Sequence, residues 1–349
     1  MGVRSVALTG LLILAVFYTL YFGRPFFLPL VLALLLNLLL SPVVTSLTKL
    51  HVPASVSAGV VVLALVGAIG GAAYLLVEPA GEWMEKAPQS MARIEERLRE
   101  LKEPVEKVNR ATQEVEKLTD VEGNGGQRSQ VQQVQMEKES LSMALLRRAS
   151  GVVAGLAVVL VLLYFLLASG NLFLRKLIRI LPTLADKKRA VDIARQLQRD
   201  LSRYLGTVTL INIGLGVGVG VAMHFLDLPN PLLWGVMATV LNFIPYLGAI
   251  VGVVVIAAVS LLTFDNVGQA VIPPIAYFAC TAMEGYFVTP MILGRSLTLN
   301  PVMILLSLLL WGWLWGIIGA VLAVPMLAVF KILCDHIKGL QPLGEFLGR

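Results

Sequence analysis

One carboxylate in this chain sits where carboxylates are costly. Between residues 206 and 333 the acidic residues are Asp227 and Asp265, both in turn-like stretches, and Glu284, inside an apolar run. An acid at membrane depth is expensive, so it usually faces a cavity, binds a cation or relays protons. The plainer alternative is a structural hydrogen bond to neighbouring backbone. On a helix, Tyr277, Thr281 and Val288 share the Glu284 face by three- and four-residue steps. Asn212 and Asn242 are the next most polar candidates for apolar surroundings, and each reads equally well as glue between helices.

Other chemistry is not written in the chain. His51, His224 and His336 lie far apart at the edges of apolar runs. Cys280 and Cys334 have no CxxC spacing and no nearby histidine pair, so each reads as a small buried hydrophobe. No HExxH, GxSxG or P-loop occurs, and the glycines at 214–220 lack the Lys-Ser/Thr of a phosphate loop. The expectation is therefore no catalytic residue, no metal, no cofactor and no enzyme.

The elements that must position Glu284 follow from composition. Of 349 residues, 57% are hydrophobic and 14% charged, and the mean hydropathy is +0.81. Soluble domains carry about 25% charged residues. This chain reads instead as an all-α polytopic membrane protein, with room for roughly seven or eight apolar segments of about 20 residues.

The net charge of +6 looks like a nucleic-acid signal until it is located. Residues 170–205 hold nine basic residues against Asp186, Asp192 and Asp200, which accounts for the whole excess. That segment reads as a cytoplasmic loop obeying the positive-inside rule, with no nucleic-acid partner.

Three units are expected. Residues 1–77 hold N-terminal membrane helices over about 5–22, 26–48 and 54–77, the first being a retained signal anchor. Residues 78–148 form an extracytoplasmic helical insertion. Residues 149–349 form a C-terminal membrane domain, with crossings over 149–168 and 206–226 and a cytoplasmic amphipathic segment at 175–205. Gly214, Gly216, Gly218 and Gly220 on the fifth crossing include i, i+4 pairs that allow close helix approach.

Residues 231–262 and 301–333 are 32 and 33 residues long. Straight helices of that length would reach roughly 48 Å, past a hydrocarbon core of about 30 Å. The first is interrupted by Asn242-Phe243-Ile244-Pro245-Tyr246-Leu247-Gly248, the second by Gly312, Gly316 and Gly319 and then Pro325. Broken backbone at membrane depth must face protein or a watery cavity, and paired breaks point to a transport site. Both runs are read as broken or re-entrant. With the N-terminus inside, re-entry puts Asp227 and Asp265 outside and Arg295, Lys331, Lys338 and Arg349 inside; full spanning exchanges Asp265 and Arg295. The charges favour re-entry, and the C-terminus is inside either way.

Two amphipathic patterns lie outside the apolar runs. Met91, Ile94, Leu98, Leu101, Val105, Val108, Thr112 and Val115 form a heptad seam, ended at Gly123–Gly126 and followed by a Gln-rich helix over 128–147. It reads either as a hairpin packing on itself or as an oligomer contact. Leu184, Val191, Ala194, Leu197, Leu201 and Leu205 gather on one side of a helix broken near Pro182, expected to lie along the inner membrane face or to brace moving parts.

The motifs carry a resemblance. Asn242–Gly248 resembles the N-x-I-P-Y-x-G element of the autoinducer-2 exporter (AI-2E) family of bacterial permeases. Glu284 with Pro290, Gly294, Leu299 and Pro301 is similar to that family's E-x5-P-x3-G-x4-L-x-P stretch. Trp315-Gly316, Gly319 and Pro325 resemble its terminal W-G-x2-G-x5-P element, and Leu228–Pro231, Pro42 and Val52-Pro53 also fit. The resemblance is close over about 175–335 and loose over the first 80 residues. It implies an inner-membrane permease with an extramembrane segment between its third and fourth helices. Members are proposed to export small signalling molecules, and some relatives are described as sodium/proton antiporters.

The combined expectation is a secondary transporter of the bacterial inner membrane, its partners being the lipid bilayer, a small-molecule or ion substrate and further copies of itself in a homo-oligomer. Glu284 would couple protons or cations. Asn242, Pro245, Tyr246, Gly248, Tyr277, Thr281, Pro290, Gly294, Pro301, Gly316 and Gly319 would shape the path. The competing reading is a membrane scaffold or regulatory protein whose extramembrane helices bind partners.

Overall fold

The computed structural model describes residues 3–83, 141–170, 183–293, 299–336 and 339–348, with Lys176 and Arg179 singly. The heptad seam, the Gly123–Gly126 break, Gly294 and Arg295 lie outside the described residues. Regular structure among the described residues is helical, apart from one antiparallel bridge between Leu299 and Gly348. The chain is an all-α polytopic membrane protein.

Helices α1 (Val3–Phe22) and α2 (Arg24–Lys49) meet at Gly23. A Cβ there would lie 2.6 Å from the Thr19 carbonyl and from the Phe27 ring, so the turn closes only around glycine. α3 (Ala54–Trp83) and α4 (Leu141–Ser169) complete a first bundle. Its seam is Ala33 and Val44 of α2, Ala58 and Val61 of α3, and Val159, Leu163 and Leu167 of α4. Most other positions on α3 are apolar and exposed, as expected of a helix solvated by lipid rather than by water.

α5 (Leu184–Phe225) runs unbroken for 42 residues. This corrects one expectation: from Leu184 onward, the amphipathic segment and the fifth apolar run form one continuous helix rather than two elements. Lys, Arg, Gln, Ala and Leu are good helix formers, so the backbone ladder continues where the hydropathy changes.

The run 231–262 is two helices, α6 (Pro231–Leu241) and α7 (Leu247–Thr263), folded into a hairpin. An 11-residue helix extends only about 16 Å, too short to cross. Trp234 near the start of α6, Phe264 just past α7, Trp83 at the end of α3 and Leu226 just past α5 belong to one apolar cluster. The hairpin therefore returns to the end it left. A short helix α8 (Val267–Ala270), capped by the Asn266 side chain on the Gly268 N–H at 2.8 Å, leads into α9 (Ile272–Met283).

The run 301–333 lies within α11 (Pro301–His336), which follows the short α10 (Thr289–Leu293). It is long and apolar enough to cross a membrane, yet it does not run straight. Ser307 Oγ donates to the Ala323 carbonyl at 2.8 Å. Sixteen residues of straight helix would separate these groups by about 24 Å. The chain reverses at Gly316, whose φ of 67° and ψ of −147° are essentially glycine-only. Gly312 packs against Ala320 and Gly319 against the Trp311 carbonyl, both across the same turn. Both long runs are thus helical hairpins. The base of the second is held by α12 (Gln341–Leu347), beside which Asn300 N–H donates to the Leu347 carbonyl at 3.1 Å.

Candidate functional site

α5 is the column on which the site is built. Gly216 and Gly220 take α6 at backbone contact: a Cβ on Gly235 would sit 2.6 Å from the Gly216 carbonyl oxygen, and one on Gly220 would sit 3.4 Å from that of Pro231. Gly214 and Gly218 have nothing within 4 Å. The register 216 against 235 and 220 against 231 is antiparallel, and it brings the end of α6 to Asn212. There Asn242 Nδ2 donates to Asn212 Oδ1 at 2.9 Å. Asn212 is 2% exposed and its own Nδ2 is buried without a partner among the described residues. A buried unmet donor costs about 1–3 kcal/mol, so α5 carries, beside the tip of the first hairpin, a polar group ready to be satisfied.

The break that follows is strained. Tyr246 has φ 62° and ψ −55°, and Leu247 N–H donates to the Pro245 carbonyl at 2.6 Å. This is a γ-turn of the rare positive-φ kind, at a residue with a Cβ. Gly248 lies directly on the Leu241 carbonyl, where no side chain fits. Tyr246 is 60% exposed. Such strain persists only where the surroundings impose it, and it concentrates at functional positions.

Glu284 opens a π-helical turn, Glu284–Val288, between α9 and α10. The Thr289 N–H donates to the Glu284 carbonyl, five residues back, and the Thr289 hydroxyl donates to Glu284 Oε1. Pro290 follows; it lacks an N–H and its ring clashes with the carbonyl four residues earlier, which favours the widened turn. Single π turns occur frequently at functional sites. Glu284 is half-buried, while Tyr286, Phe287 and Met291 around it are more than two-thirds exposed.

Tyr277 and Thr281, expected on the Glu284 face, are both buried. The Tyr277 ring lies on Gly252 of α7, where a Cβ would overlap it. The Thr281 hydroxyl donates to the carbonyls of Tyr277 at 3.2 Å and Phe278 at 2.9 Å within its own helix. Tyr277 shares a cluster with Leu215, Val219 and Met223 of α5. Because α9 descends antiparallel to α5, seven further residues, about 10 Å, bring Glu284 level with the Asn212 half of α5. The π turn and α10 pack against α5 there.

Gly316 and Gly319 form part of a different neighbourhood. Trp315 Nε1 donates to the Leu20 carbonyl at 3.1 Å, and Leu314, Trp315 and Leu322 pack on Phe17, Leu20, Phe27 and Val31 of α1 and α2. The second hairpin tip thus sits on the first two helices, while the first tip sits on α5. Pro301 starts the second hairpin at its base. Among the described residues no three His, Cys, Asp or Glu side chains converge to hold a metal ion. Three- and four-residue spacing from Glu284 does not reach Thr289, because only a π turn stacks residue i+5 over residue i. The signal available was a hydroxyl followed by proline, five residues after an intramembrane acid.

Comparison with known proteins fits this architecture. Residues 11–339 match the pattern of the AI-2E family transporter. A Borreliella burgdorferi protein named "Putative transport protein" is 30% identical over 203 residues, 57% of this chain and 55% of its own. "Putative transport protein YrrI" of Bacillus subtilis is 33% identical over 187 residues, 50% of this chain and 52% of its own. "AI-2 transport protein TqsA" of Escherichia coli is 29% identical over 175 residues, 50% of this chain and 48% of its own. The chain spans about half the length of the curated relatives it matches. With a pattern match covering nearly its whole length, the chain belongs to the AI-2E transporter family.

Proposed function

We propose that the chain is a secondary transporter of the bacterial inner membrane, with both termini cytoplasmic, moving a small solute or ion coupled to protons or sodium through Glu284. The observation that carries this reading is the Glu284 carboxylate, held on a π turn by the Thr289 hydroxyl amid apolar helix surface. A carboxylate on a locally widened turn can exchange its hydroxyl partner for a proton or a cation without unfolding the helix. The strained Tyr246 turn and the unmet Asn212 donor, at a similar depth, mark the hairpin tip as the element that meets the solute. A homo-oligomer belongs to the same reading. It is supported by Gly214 and Gly218, which lie open on the face of α5 opposite the α6 contact.

The test is flux in proteoliposomes holding this chain alone, driven by a proton or a sodium gradient. Glu284→Gln keeps the shape and removes the titratable charge. Gradient-driven flux should collapse while insertion and folding survive. Normal driven flux by a correctly inserted Glu284→Gln protein would remove this residue from the mechanism.

A further inference from the structure

A second polar site lies away from the breaks, between the last turns of α2 and the N-terminal half of α5. The cleft encloses about 720 Å³, and its lining includes Ser41, Lys49, Gln198, Arg199, Asp200 and Arg203. That volume suits a small ligand. Its walls are tied together: Ser202 Oγ donates to the Leu38 carbonyl at 2.5 Å, and Gln198 Nε2 donates to Ser41 Oγ at 2.8 Å. Accepting that bond leaves the Ser41 O–H available to donate. The Lys49, Arg199 and Arg203 side chains are exposed, and none is ion-paired among the described residues.

Three cations against the single Asp200 leave a net positive cleft in which two guanidinium groups stand one helical turn apart on α5. Guanidinium forks bind phosphate oxygens bidentately, and a lysine adds a compact point charge. Lys49 ends α2, so the cleft lies where a membrane helix leaves the lipid, beside the basic segment read as cytoplasmic. Clustered Lys and Arg at that level attract anionic headgroups.

We propose that this cleft binds a phosphate-bearing anion, supplied either by the headgroup of an anionic phospholipid or by soluble phosphate, and that the bound anion clamps α5 to α2. The site is independent of Glu284 and of the transport reading.

The experiment uses the full chain in nanodiscs made with equal parts phosphatidylglycerol and phosphatidylcholine. The readouts are the lipid co-purified after delipidating washes and the melting shift on adding inorganic phosphate. Wild type should retain phosphatidylglycerol preferentially or melt higher with phosphate. The first outcome assigns the anion to lipid and the second to the soluble pool. Arg199→Gln with Arg203→Gln should lower retention, or the apparent phosphate affinity, about twenty-five-fold at roughly fivefold per charge. Arg199→Lys with Arg203→Lys should retain most of it, which separates charge from misfolding. Lys188→Gln with Arg195→Gln, which removes two charges outside the cleft lining, should change it less than twofold. The absence of both the preference and the shift in the wild type overturns the proposal. An equal loss in the Lys188/Arg195 control also overturns it, since diffuse charge would then suffice.

Discussion

Glu284 and Thr289 form a pair whose chemistry rests on one hydroxyl. A hydrogen bond to a charged group is worth about 1.5–3 kcal/mol, so Thr289→Val, close in shape, should cut gradient-driven flux about tenfold or more. Thr289→Ser should keep most of it. Equal flux in the Val and Ser variants would separate Thr289 from the Glu284 site. The asparagines make a second residue-scale test. Buried interhelical hydrogen bonds in membranes couple by about 0.6–1.7 kcal/mol. A double-mutant cycle of Asn212→Ala and Asn242→Ala on unfolding stability should return a coupling in that range, and additive losses would mean that the 2.9 Å bond contributes nothing. Glu284 was legible in the sequence because an acid in an apolar run is rare. Both asparagines were legible for the same reason. Their pairing was not, since it depends on the 216–235 register between two helices, and Thr289 was hidden by the i+5 step.

At the scale of elements, glycine spacing was legible while its consequences were divided by geometry. Gly216 and Gly218 are two residues apart on the same helix, yet Gly216 is in backbone contact with α6 and Gly218 has open space. Gly216→Ala should destabilise by about 1–3 kcal/mol through overpacking. Gly218→Ala should be neutral or stabilising by up to about 1 kcal/mol, from helix propensity alone. Melting in detergent compares them; similar shifts would contradict the close α5–α6 contact. The breaks at 242–248 and 312–319 were also readable, from Pro245 and from glycines inside runs longer than a straight crossing needs. The amphipathic stretch after Pro182, by contrast, runs on into the fifth apolar run without a break. Hydropathy marks where lipid ends, whereas a helix ends where its hydrogen-bond ladder does, and nothing between Leu184 and Phe225 interrupts that ladder.

For the whole molecule, the two hairpins determine the topology. Excess charge favours a cytoplasmic side for the 170–205 segment, and run length posed the choice between spanning and re-entry. Neither could settle it, because Asp265 and Arg295 are single charges. Contacts between distant residues do settle the fold: Ser307 on Ala323, and Trp234 in one cluster with Phe264, return each hairpin to its starting end. The base of the first hairpin then lies at the Trp83 end, and the base of the second lies where α12 meets Asn300. In a background lacking Cys280 and Cys334, single cysteines at Asp227 and Asp265 should react with an impermeant thiol reagent from the periplasm. Cysteines at Lys187 and Gly339 should react only after the membrane is opened. If the first hairpin crossed instead of returning, Asp227 and Asp265 would label from opposite sides. That result would move Glu284 to a helix of reversed direction and leave the strained Tyr246 turn in mid-crossing, where a hairpin tip could not meet solute from either face.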